Sequence, residues 1–153
     1  MNNEKKLLDL RNNPNIGEVS TQLFELIKYP ESFAEAITLI INLDDDVIGR
    51  SRPIIKNIII PNKNTEQEFF EKKSVLKNHQ AETYKYINTF NFLYEKIDKE
   101  IKTNSSLDLK MKECFNLSLN LIQQKSLYLR SHQSDLKTVF SALNRFTPKF
   151  KDP

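Results

Sequence analysis

Two histidines, one cysteine and a run of three aspartates are the side chains here best suited to chemistry. His79 and His132 are far apart in sequence, so a long antiparallel helix pair would have to bring them together. Two imidazoles are a poor metal site, since zinc takes three or four protein ligands. No carboxylate falls within one turn of both on the same face, so the pair is read as a polar layer that sets helix register. Cys114 stands alone, which excludes an intrachain disulfide and a thiolate zinc cluster. It lies on an apolar stripe with Met111 and Phe115, away from any base that would activate it. Asp44-Asp45-Asp46 lacks the central glycine and terminal glutamate of a calcium loop and reads as a helix cap or a solvated turn.

These residues need elements to hold them, and the 2 glycines among 153 residues restrict which. Glycine serves positions of positive φ, so phosphate loops and multi-hairpin sheets are disfavoured. Residues 3–11 predict a short helix ending near Asn12-Asn13-Pro14, and 18–28 a second carrying Val19, Leu23, Leu26 and Ile27. A third is expected over 31–42, with Phe33, Ala36, Ile37, Ile40 and Ile41 inward, followed by a break at the aspartates. Ser51 to Pro61 is ambiguous: a Ser cap with Pro53 in the first turn argues helix, the β-branched run argues strand, and a short helix is favoured.

The second half is more regular. Thr65 and Glu68 form a capping box. Phe69, Leu76, Tyr86, Ile87, Phe90, Leu93, Tyr94, Ile97 and Ile101 then fall on one helical face. A shorter alternation through Tyr84, Tyr86, Phe90, Phe92 and Tyr94 competes as a strand pattern and is outweighed. Ser105 and Asp108 predict a second capping box and a helix from 106 to about 145. In it Phe115, Ile122, Leu129, Leu136 and Leu143 recur every seven residues, with Leu107, Met111, Cys114, Leu121, Tyr128, Val139 and Phe140 widening the stripe. Two such helices with a short connector must run antiparallel, placing residue i near 209 − i. The expected fold is therefore all-α: an elongated antiparallel helical hairpin over 65–146, three to four shorter N-terminal helices (1–61) packed against it, and a frayed tail at 147–153, in one domain.

The net charge of +3 is mild, and the Lys and Asn content reads as AT-rich coding. There is no signal-peptide h-region and no apolar run long enough to span a membrane, so a cytoplasmic location is expected. Without a convergent acid/base set, nucleophile elbow or glycine loop, neither enzymatic activity nor a cofactor is expected. Phe70, Phe92, Leu109 and Leu127 lie off the main apolar stripes, and Phe146 and Phe150 alternate with basic residues in the tail. These six are the candidate partner-binding residues of a protein-interaction module that buries helix faces against a partner or itself. The alternative is a nucleic-acid-binding accessory protein using Lys96, Lys99, Lys102, Lys110 and Lys112 near the hairpin tip.

Overall fold

The computed structural model describes residues 3–59, 63–145 and 150–152. These form five helices and no strand: α1 (Asn3–Asn12), α2 (Ile16–Ile27), α3 (Pro30–Ile58), α4 (Glu66–Thr103) and α5 (Leu109–Arg145). α4 packs along α5, α3 packs on both, α2 lies mainly on α4 and α3, and α1 rests on α3. No helix among the described residues is long and apolar enough to cross a membrane.

Local chemistry sets the helix boundaries. Asn15 caps α2 by accepting from the Glu18 N–H at 3.1 Å, which starts that helix two residues earlier than predicted. Thr65 caps α4, its Oγ1 accepting from the Glu68 N–H at 3.2 Å. α5 begins at Leu109, not 106, because Asp108 is the better cap: its carboxylate accepts from the Met111 N–H at 2.8 Å. Asn104 turns the connector by accepting from the N–H and hydroxyl of Ser106.

The largest departure from expectation is α3. The break expected at Asp44-Asp45-Asp46 is absent, and the segment left between helix and strand is helical through Ile58. One 29-residue helix replaces two shorter ones, so three helices precede α4. Asp44 and Asp46 do not cap anything. They pair with Lys125 and with Arg11 and Arg50, which removes the reason for a turn. Pro53 stands inside the helix, where the missing N–H and ring clash cost ~3 kcal/mol. Burial of Val47, Ile48 and Ile58 on either side offsets that cost at ~1.5–3 kcal/mol per large apolar side chain.

The seven-residue repeat of α5 is buried as expected at Phe115, Ile122, Leu129 and Leu136, with Leu143 half-covered. Of the apolar face of α4, Phe69, Leu76, Tyr86, Ile87, Phe90, Leu93 and Ile97 are buried. Tyr128, counted with the core of α5, is instead exposed with Lys125 over its ring at 5.4 Å. Contacts along the α4–α5 seam join Lys73 to Asn144 and Asn91 to Arg130, two to three turns from the partners expected at 136 and 118. The later start of α5, by three residues, accounts for part of the offset.

α1 is held from outside its own sequence. The Lys85 ammonium of α4 donates to the carbonyls of Leu10 at 3.1 Å and Arg11 at 2.7 Å, capping the negative end of α1. Lys85→Met should speed amide exchange in α1, matching a local loss of ~1–2 kcal/mol, and leave the core of α4 and α5 protected. Uniform acceleration across all five helices would contradict this role.

Candidate functional site

The histidines come together, and their surroundings show what they do. Ser51 of α3, His79 and Thr83 of α4, and His132 and Gln133 of α5 are all buried. On each helix they stand between apolar residues of two separate clusters. Val47, Ile48, Tyr86 and Leu129 belong to the larger cluster, and Ile58, Leu76 and Leu136 to the smaller. The layer therefore divides the core.

The Ser51 hydroxyl lies 2.6 Å from His132 Nε2, the spacing of a nucleophile and its base. The hydrogen accounting argues against that role. Ser51 Oγ also meets the carbonyls of Val47 at 3.1 Å and Ile48 at 3.2 Å, and it has one hydrogen to give. Donating that hydrogen to its own helix, as mid-helix serines do, leaves Oγ to accept from Nε2–H. An imidazole donating to the hydroxyl cannot take its proton. Ser51 is also fully buried, out of reach of a substrate.

Both imidazoles are held below their ordinary pKa. For His79 the causes are burial and then the Arg50 guanidinium. For His132 they are burial and then Arg52, with His79 adding to them against Asp135. The layer is thus built for neutral histidine. Beside it, Arg50 bonds Asp46 at 2.9 Å and Glu82 at 2.7 Å, Arg11 reaches Asp46 at 3.0 Å, and the Tyr86 hydroxyl donates to Glu82 at 2.9 Å. Desolvation raises the Tyr86 pKa, and the neighbouring Glu82 carboxylate adds to it. This network joins α1, α3 and α4. No group of three or more ligating side chains able to hold a metal occurs among the described residues.

Cys114 is buried, and burial followed by Glu113 and Asp108 raises its thiol pKa, the opposite of nucleophile activation. Asp44 is 1% exposed and its pKa is raised to about 6 by burial, against the opposing pull of Lys125 3.3 Å away.

The surface residues are distributed differently. Leu109 is 73% exposed and Leu127 67%, and 18 residues is five turns, so they share one angle on α5. Phe92 (45%) and Phe70 (54%) are exposed on α4. None of the four is covered by α1–α3. Leu117 is also exposed and was missed, although its position eight residues beyond Leu109 puts it on the same side of the helix. A groove of about 590 Å³ runs along the α4–α5 seam, lined by Asn91, Tyr94, Asn120 and Arg130, with Leu127 at its edge.

The remaining candidates separate. Phe150 packs on Phe69 with ring centroids 5.4 Å apart, and the Lys151 N–H donates to the Asn64 carbonyl at 2.6 Å. Phe150 is thus partly committed to the smaller core cluster. Phe146 lies outside the described residues. Lys96, Lys99, Lys102, Lys110 and Lys112 are all exposed, and Lys102 pairs with Asp98 at 2.7 Å. No protein-family model, curated protein or solved structure matches the chain.

His132→Ala should cost ~2–4 kcal/mol, from a cavity and the loss of the donor to the buried Ser51 Oγ. Ser51→Ala with His132→Leu should stay within ~1.5 kcal/mol of the parent while its amide spectrum broadens. A double variant as unstable as the sum of its two single substitutions in a denaturant-melt double-mutant cycle would contradict the pairing of Ser51 with His132.

The pH dependence has a definite sign. Between the folded and unfolded histidine pKa values the unfolded chain binds more protons, so the stability of the layer is full above ~6.5 and lost as pH falls through the depressed folded values. Asp44 acts oppositely, because between 3.8 and about 6 the folded chain binds more protons there. Asp44→Asn should therefore steepen the loss of stability from pH 8 to pH 5 by ~1–2 kcal/mol, and the Ser51→Ala/His132→Leu pair should flatten it. Urea melts at the two pH values would read both, and a parallel shift of all three proteins would refute the assignment.

Proposed function

We propose that the chain is a non-enzymatic protein-interaction module. α4 and α5 act as an elongated antiparallel hairpin, α1–α3 brace one side of it, and the other side is buried against a partner or a second copy. The observation that carries this reading is the exposure of Leu109, Leu117 and Leu127 on α5 and of Phe92 on α4. At about 1.5 Å per residue the three leucines stand roughly 12 and 15 Å apart, a spacing that a long apolar partner face lying along α5 would span. The amide-lined groove beside Leu127 supplies the polar rim that such interfaces carry.

The basic tip supports the nucleic-acid alternative less well. The five lysines share residues 95–113 with Glu95, Asp98, Glu100, Asp108 and Glu113, so the tip carries no net positive charge. Phosphate binding needs an uncompensated positive field.

Replacing both Leu109 and Leu127 with Asp should change unfolding free energy by no more than ~0.5 kcal/mol, because both are exposed. The same change should abolish association seen by sedimentation equilibrium at 0.5 M salt, alone or with a candidate partner. Association that survives the double substitution would remove these residues from the interface. Binding to nucleic acid that falls steeply with salt and is lost on charge reversal at Lys102 and Lys110 would favour the alternative.

A further inference from the structure

A second surface feature lies on other helices and does not depend on the reading above. α1, α2 and α3 enclose an open cleft of about 560 Å³, within the ~300–1,000 Å³ of small-molecule sites. Its floor is made by Leu10, Leu23 and Leu39, all buried members of the main core cluster, so the floor is preformed by packing. Leu26 and the half-exposed Tyr29 form an apolar wall.

The polar groups at the mouth are not equivalent. The Thr21 hydroxyl donates to the Gly17 carbonyl at 2.9 Å and the Ser32 hydroxyl to the Leu26 carbonyl at 2.7 Å, so both hydrogens are spent within the fold. Lys6, the one cation of the lining, is paired with Glu35. Gln22 adds a neutral, exposed amide, and the carboxylates Asp9 and Glu25 remain. Both are exposed, both line the cleft, and neither has an ion-pair partner among the described residues. Lys28 already lies 5.7 Å from the Tyr29 ring centroid, so the ring acts as apolar wall and not as a vacant cation receptor. The cleft thus combines an apolar floor with two uncompensated carboxylates.

We infer that this cleft is a binding site for a small organic cation, with an apolar body seated on Leu10, Leu23 and Leu26 and an ammonium or guanidinium group held between Asp9 and Glu25. An anion of the same shape meets two like charges there, and a neutral isostere gains only the apolar contact.

The test uses the full chain and three matched probes, hexylammonium, hexanoate and hexanol, titrated while backbone amide shifts are followed. Hexylammonium should give saturable shifts confined to α1, α2 and the first half of α3, with affinity about 5- to 10-fold above hexanol and hexanoate weakest of the three. Asp9→Asn with Glu25→Gln should bring hexylammonium down to the level of hexanol, and both positions are exposed, so the fold tolerates the change. Equal binding of hexanol and hexylammonium would overturn the cation assignment. Absence of saturable shifts in α1–α3, or shifts centred on the α4–α5 groove, would overturn the site itself.

Discussion

The contact between Ser51 and His132 fixes the relative height of α3 and α5, and the arrangement of the other helices follows from that height. An apolar stripe alone permits a helix to slide by a turn, because one leucine replaces another at little cost. A buried imidazole without its partner is costly, at ~1–3 kcal/mol for an unsatisfied polar group. Sliding α3 or α5 would part Ser51 from His132, whereas Thr83 bonds within α4 and the buried His79 Nδ1 has no hydrogen-bond partner, so α4 is held in height by its apolar face. Once that level is set, Arg50 stands opposite Glu82, and Arg11 can reach Asp46. The Lys85 cap on α1 then completes the placement of the N-terminal helix.

This division of labour explains what was readable in the sequence. The apolar spacing of α4 and α5 is regular over more than thirty residues, and burial follows it because an amphipathic face has only one way to leave water. The polar layer was legible for the same reason: polar residues interrupting two such stripes at facing positions must meet. The continuity of α3 was not legible. Pro53 and three consecutive aspartates are local signals for a break, and local signals decide a boundary only when tertiary contacts are silent. Here Lys125 on α5 and Arg11 on α1, distant in sequence, neutralise Asp44 and Asp46 and keep the helix running.

The candidate surfaces divide in the same way. Leu109 and Leu127 could be picked out by angle alone, since five full turns return a residue to the same side of its helix. Tyr128 could not be placed, because its position at the edge of the stripe leaves burial to be decided by how neighbouring helices pack. Phe150 is a further case, in which an aromatic residue in a polar tail packs on Phe69, and no periodicity in the sequence marks that contact. The cleft among α1, α2 and α3 had no sequence signature at all, since its carboxylates come from two helices and its floor from three.

The partition of the core into two clusters carries a consequence for how the molecule breathes. The smaller cluster joins the end of α3, the start of α4 and the end of α5, and among the described residues only Ile58, Phe69, Leu76 and Leu136 of it are buried, with Ile54, Ile55, Val139, Phe140, Leu143 and Phe150 partly covered around them. The larger one contains Tyr86, Phe90, Phe115 and most of the buried leucines and isoleucines. With a hydrophilic stratum between them, loosening one does not require dry contacts to rupture in the other. The molecule is therefore a two-compartment solid, with one end able to open and reseal while the opposite end stays closed.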